Sequence, residues 1–220
     1  MLLALLAALT AAASQARVPT LVDPAALQTA DIVLHTSRTA QARVVVLATA
    51  SPYAHVGLIE RAGDRVYVVE AVQPVQRTPW AAWRERGLGG RVTVLRHRGL
   101  DDARRTAVIT AAKRHLGRPY DLYFAPGDDR IYCSELVRLA YAAVGVELGE
   151  STPAAALGLH TAPVQALLRR RWRAHPSCAG APTLAACMPA LERLEIVTPV
   201  SLRRDRQLTL VASDYPAALR

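Results

Sequence analysis

Arg130-Ile131-Tyr132-Cys133-Ser134-Glu135-Leu136-Val137 sets a cysteine at the first turn of a helix. Apolar Leu136, Val137, Ala140, Tyr141 and Val144 continue it as one stripe, and Gly145 stops it, so the spacing predicts a helix over 132–144. A helix N-terminus carries partial positive charge and unpaired N–H groups. Both stabilise a thiolate, and the same N–H groups can receive an oxyanion. A structural cysteine belongs more often in mid-helix, on the apolar stripe. Cys133 is therefore a candidate nucleophile.

Such a thiol needs a base that takes its proton near neutral pH, and imidazole is the natural choice. His55, in Ser51-Pro52-Tyr53-Ala54-His55-Val56-Gly57, begins a predicted strand. β-rich runs at 56–60 and 66–71 flank Arg61-Ala62-Gly63-Asp64, a hairpin signal. A four-residue loop pairs Glu60 with Arg65 and sets His55 directly opposite Glu70. Cross-strand Cβ atoms lie about 4.5–5.5 Å apart, close enough for Glu70 to orient the ring. A one-residue slip would put the two on opposite faces.

Outward from this centre, 31–35 and 92–96 read as strands, and 39–50 and 101–116 as helices. Thr78-Pro79 reads as the opening of a short helix carrying Trp80 and Trp83, with proline at the first helical position. Residues 200–202 and 208–211 read as closing strands. Residues 151–199 are rich in proline and alanine and read as an insertion or lid. Few helices and several antiparallel strands argue an α+β fold.

The 220 residues amount to one domain. With 51% hydrophobic and 20% charged residues, collagen-like, coiled-coil and disordered chains are excluded. Basic residues number 27 against 18 acidic, a net charge of +9, and Lys113 is the only lysine. An excess of arginine and alanine reads as GC-rich codon use, so no nucleic-acid partner is expected. Arg169-Arg170-Arg171-Trp172-Arg173 reads as a solvated helix end, with peripheral contact to an anionic membrane or cell-wall polymer as the alternative. No H-x-x-x-H, G-x-S-x-G, P-loop or dinucleotide fingerprint occurs, and no second cysteine lies near Cys133. No metal and no cofactor are expected.

Residues 1–13 are apolar but too short to span a bilayer, and Ser14-Gln15-Ala16 supplies the small residues of a cleavage site. Residues 1–16 read as a signal peptide without its basic start, and 17–220 as the single mature domain, exported to the periplasm or beyond. Cys178 and Cys187 close a short loop containing Gly180 and Pro182, which suggests a disulfide in an oxidising compartment. Cys133 is then the odd thiol.

Four strings carry a resemblance: Ser51 to Gly57 above, Val66-Tyr67-Val68-Val69-Glu70-Ala71-Val72-Gln73-Pro74-Val75, Leu116-Gly117-Arg118-Pro119-Tyr120-Asp121-Leu122-Tyr123-Phe124, and Asp128-Asp129 leading into the Cys133 stretch. In this order they resemble the permuted papain-like cysteine hydrolases of the YiiX/YaeF type. These are relatives of the NlpC-type cell-wall peptidases, and share their permuted order with lecithin:retinol acyltransferase. The resemblance covers about residues 30–150 and the closing strands. It implies a circularly permuted papain-like (NlpC-type) α+β fold, an antiparallel sheet with packed helices. It also implies the catalytic order His55, Glu70, Cys133, and Tyr120 as a tyrosine near the active site. Asp31 matches a Gly-Asp motif in which Ala30 replaces the glycine. The implied activity is cleavage of an amide bond through a thioester, in a peptidoglycan stem peptide or an N-acyl amide. Acyl transfer between lipids with the same triad, and lipid or cell-wall binding without turnover, stay open as alternatives. Residues 151–199 match no part of the family pattern.

Overall fold

The computed structural model describes residues 21–127 and 129–217, so the signal-peptide reading of 1–16 lies outside the described residues. The first elements are β1 (Ile32–His35), α1 (Ala40–Thr49), β2 (His55–Ala62), β3 (Arg65–Glu70), β4 (Gln76–Pro79) and α2 (Trp80–Arg86). Next come β5 (Thr93–His97), α3 (Asp102–Lys113) and α4 (Cys133–Ala142). The last third holds β6 (Ser151–Pro153), α5 (Ala162–Arg171), α6 (Leu184–Glu192), β7 (Glu195–Val197), α7 (Pro199–Arg204) and β8 (Leu208–Ser213). Six strands form one sheet in the order β4-β3-β2-β1-β5-β8, with every neighbouring pair antiparallel. The fold is α+β, as the residue pattern implies.

Side chains alternate across this sheet, and both faces are covered. Ile32, Leu34, Val56, Leu58, Val69 and Leu95 pack against Val108 and Ala112 of α3 and Leu136, Val137, Ala140 and Tyr141 of α4. On the other face Val33, Ile59, Val68 and Val94 meet Trp80 and Trp83 of α2. Burial on both faces is why the middle of β2 reads as a continuous apolar run instead of an alternating one. No helix among the described residues is long and apolar enough to cross a membrane.

Several boundaries differ from expectation. The hairpin turn is two residues, Gly63 and Asp64, with Ala62 paired to Arg65 and Glu60 to Tyr67, not Arg65. Gly63 takes φ +61, the left-handed geometry that tight hairpin turns require. Thr78-Pro79 does not open a helix. Pro79 has ψ 137, an extended value, and ends β4 beside Tyr67, so α2 starts at Trp80. Residues 200–202 are helical, not a strand. Thr198 Oγ1 accepts from the Ser201 N–H at 3.1 Å and Pro199 pre-sets the first turn, a start signal that outweighs the β preference of Val200. Ala30 takes φ +67, a region that favours glycine, which accounts for the glycine in the family motif. Beside it Asp31 is fully buried, and its two oxygens accept from Arg96 at 2.7 Å each.

Residues 151–199 fold into a second layer, with β6 paired to β7 and α5 packed on α1. Cys178 and Cys187 are disulfide-bonded, Cα atoms 5.1 Å apart, among Trp172, Leu191, Leu168 and Leu184. Closing so short a loop constrains the unfolded chain by about 2–3 kcal/mol in the loop-entropy account. The double variant Cys178→Ala/Cys187→Ala should therefore unfold at lower urea than the parent by about that free energy, and an unchanged midpoint would refute it.

Candidate active site

Cys133 is the first residue of α4 and 4% exposed. Tyr132 caps the helix, its N–H donating to Glu135 Oε2 at 3.3 Å, and Ser134 Oγ donates to the Val197 carbonyl at 2.8 Å. These bonds tie the helix start to both the preceding loop and β7. Ser134 and Glu135 hold the backbone of the candidate nucleophile in place.

His55 opens β2 and Glu70 closes β3. Continuing the observed register puts Glu70 opposite Gly57, two residues along from the expected partner. An even shift keeps the face, so Glu70 meets His55 diagonally, Oε2 accepting from Nε2 at 2.6 Å. Gly57 makes the diagonal possible: a Cβ there would run into Val68 Cγ1 and come within 3.3 Å of Glu70 Cβ. Glu70 is fully buried, and its second oxygen accepts from Thr78 Oγ1 at 2.6 Å and from Arg86.

With Nε2 engaged by Glu70, Nδ1 is the nitrogen left for the thiol, and His55 is hydrogen-bonded to the Cys133 side chain. The Val56 N–H and the Tyr120 hydroxyl also favour negative charge on this sulfur. Tyr120 comes from the loop between α3 and α4, its N–H donating to Gln73 Oε1 at 2.7 Å. Its phenol interacts with Cys133. All four residues singled out from sequence thus meet at one point.

The charges follow from these contacts. Burial opposes a carboxylate at Glu70, but hydrogen bonds from His55 and Thr78 and the charges of His55 and Arg86 lower it to about 2. Burial likewise opposes a charged His55, and Cys133 and Glu70 on either side raise it to about 9. Burial pushes the Cys133 thiol up, and the His55 hydrogen bond and charge, with the Val56 N–H and Tyr120, bring it below the ordinary thiol value. Burial and the neighbouring sulfur drive the Tyr120 phenol well upward, so it stays protonated as a donor. Both shifts run in the direction that favours a thiolate beside an imidazolium.

Sequence reasoning missed His35, Trp83, Thr78, Arg86 and Gly57. His35 ends β1, pairs in register with His55, and stacks on Trp83 at 4.1 Å. Burial and the His55 charge depress His35, so it lies neutral beneath the charged ring. Register alone shows this placement, and β1 and β2 are joined through α1, a connection whose length does not fix their register. Arg86 reaches Glu70 from α2 across a tertiary contact that no spacing encodes.

Two openings meet at the site. An apolar cavity of about 140 Å³ holds Cys133 in its wall with Val44, Leu159, Leu168, Trp172 and Ile196. A wider groove of about 850 Å³, of mixed apolar and polar lining, holds His55 in its wall with Arg38, Gln73, Glu85 and Arg86. Val45, Ala54, Tyr120 and Leu122 line both and form the partition.

A family model of permuted papain-like amidases, YaeF/YiiX, C92 family, matches residues 26–212, so residues 151–199, expected to fall outside the family pattern, lie within it. Protein YiiX of Escherichia coli K12 is 35% identical over 191 residues, covering 86% of this chain and 88% of that protein. The crystal structure of YiiX from Escherichia coli O157:H7, described as a metalloprotein, superposes with a TM-score of 0.75 at 35% identity over 86% of this chain and 98% of the other. Among the described residues of this chain, no group of three or more His, Cys, Asp or Glu side chains is arranged to hold a metal ion. A match over that span, with a relative 35% identical across most of both chains, makes the chain a member of the permuted papain-like amidases of the YaeF/YiiX type, an enzyme of the cysteine hydrolase class.

Proposed function

We propose that the enzyme hydrolyses an amide bond whose acyl part is aliphatic, an N-acyl amide in preference to a peptidoglycan stem peptide. The carrying observation is the apolar cavity that opens at Cys133, walled by Val, Leu, Ile and Trp side chains. A stem peptide, studded with carboxylates and amides, would leave polar groups unpaired there.

In the proposed mechanism the Cys133 thiolate attacks the carbonyl carbon, forming a C–S bond. The oxyanion takes the Cys133 N–H and the Tyr120 hydroxyl as donors. On collapse the C–N bond breaks, and His55 gives its proton to the departing amine. Water then attacks the thioester carbon as His55 takes its proton, and on collapse the C–S bond breaks, which releases the carboxylic acid and restores the Cys133 thiolate beside protonated His55. Glu70 holds the ring and its charge throughout. No step is routed through a metal. The groove also has room for an amine or alcohol acceptor, and product analysis separates transfer from hydrolysis. The Cys178–Cys187 disulfide supports an exported enzyme.

The test is an N-acyl amide series of rising chain length beside soluble stem-peptide fragments. Each buried methylene stabilises by about 0.8 kcal/mol, so kcat/KM should climb about fourfold per carbon over the first few. A flat series with faster cleavage of the stem peptides would overturn the proposal.

A further inference from the structure

We infer that the amine released by this reaction carries an anionic group, a carboxylate read by Arg38 and Arg86, so that the substrate is an N-acyl amino acid. This rests on the amidase reading above and extends it to the half of the substrate that the cavity does not hold.

The two openings give the substrate a direction. Cys133 bonds to the acyl carbon and lies in the wall of the apolar cavity, while His55 protonates the departing nitrogen and lies in the wall of the groove. A scissile amide at the partition therefore sends its acyl chain one way and its amine the other. What the groove presents decides which amine.

Its charged side chains are Arg38, Arg86 and Glu85, beside His55. Arg38 is exposed, just before α1, and makes no ion pair among the described residues. Arg86 commits Nη2 to Glu70 and is 41% exposed, which leaves guanidinium N–H groups facing outward. Gln73 uses its oxygen on the Tyr120 N–H, so its amide NH₂ is left as a donor. The first turn of α1 lines the same wall, and its dipole adds the same sign. Donors thus dominate on the side where the leaving group sits. Guanidinium forks match the planar carboxylate, which they bind in bidentate fashion. Glu85 is the one opposing charge against two arginines, and like them it is exposed.

The experiment measures binding to the full-length Cys133→Ala protein, so that turnover does not interfere. The probes share an octanoyl chain: N-octanoylglycine, its neutral ethanolamide counterpart, the aminoethyl phosphate conjugate and the cationic diaminoethane conjugate. The glycine conjugate should bind at least tenfold tighter than the ethanolamide, and the cation weakest. Arg38→Gln should cut the glycine-to-ethanolamide ratio below threefold, and Glu85→Gln should widen it. Equal affinities, preference for the cation, or a ratio unmoved by Arg38→Gln overturns the inference. Tighter binding of the phosphate conjugate overturns the carboxylate assignment. Binding with the expected ratio but no cleavage by the parent enzyme sinks the amidase reading, and with it the leaving-amine role, and leaves only the carboxylate-binding site standing. Equal kcat/KM on all four conjugates does the reverse.

Discussion

Cys133→Ala should lower turnover by about 10⁵-fold or more, the size of loss seen when a nucleophile is removed from a cooperating triad. The same group can be read without knowing the substrate. Iodoacetamide should alkylate Cys133 quickly at pH 6–7, well below the free-thiol pKa of about 8.5, because His55 and the Val56 N–H hold it as a thiolate. In His55→Ala the labelling should slow and follow the ordinary thiol curve. Rapid labelling that survives His55→Ala would end the nucleophile–base reading. The sign of the pH dependence follows. On the acid side activity falls as the thiolate takes a proton, at a pH below the ordinary thiol value. On the basic side it falls through about 9, where His55 loses the proton that the leaving group needs.

Glu70→Gln should cut kcat by about 10³–10⁴-fold with little change in KM, as when the carboxylate behind a catalytic histidine becomes an amide. An amide there still fits the space but cannot hold His55 charged, so the basic limb should move down from about 9 toward the ordinary imidazole value. A variant with lower kcat and an unmoved basic limb would show a packing role only. The ion pair is also a stability term with a defined window. Glu70 is depressed in the folded chain, so its contribution is complete above its ordinary value of 4.5 and is lost as pH falls through about 2. His55 is raised, so its contribution is complete below 6.5 and is lost as pH rises through about 9. Glu70→Gln should remove the acid slope from a plot of stability against pH and reduce the basic one, which Cys133 also supports.

Much of this site was legible from residues alone, because its parts sit at chain positions with local signals. Cys133 announces itself by a helix start, and His55 and Glu70 by the two ends of a hairpin. The hairpin reading survived a two-residue error in register because faces repeat every second residue; an odd error would have separated the pair. What stayed hidden depends on tertiary contact. Arg86 and Trp83 reach the site from α2, and His35 reaches it through the β1–β2 pairing. Pro79 misled through its preference for a first helical turn, which the β3–β4 ladder overrode. Residues 151–199 lacked periodicity because their helices are short and bury only a few residues each, Val164 in α5 and Cys187 and Leu191 in α6. Yet this is the stretch that walls the apolar cavity.

The sulfur and the carboxylate approach the imidazole from opposite layers. Cys133 rides on α4, packed against one face of the sheet, while Glu70 is buttressed by Arg86 of α2 from the other. His55, at the very start of β2, is where the layers come together. The enzyme is therefore latent by construction: an unfolded or half-docked chain carries only an ordinary thiol, sluggish at neutral pH. Reactivity arrives with the last docking step, so the rate of thiol labelling during refolding is a clock for completion of the whole three-layer assembly.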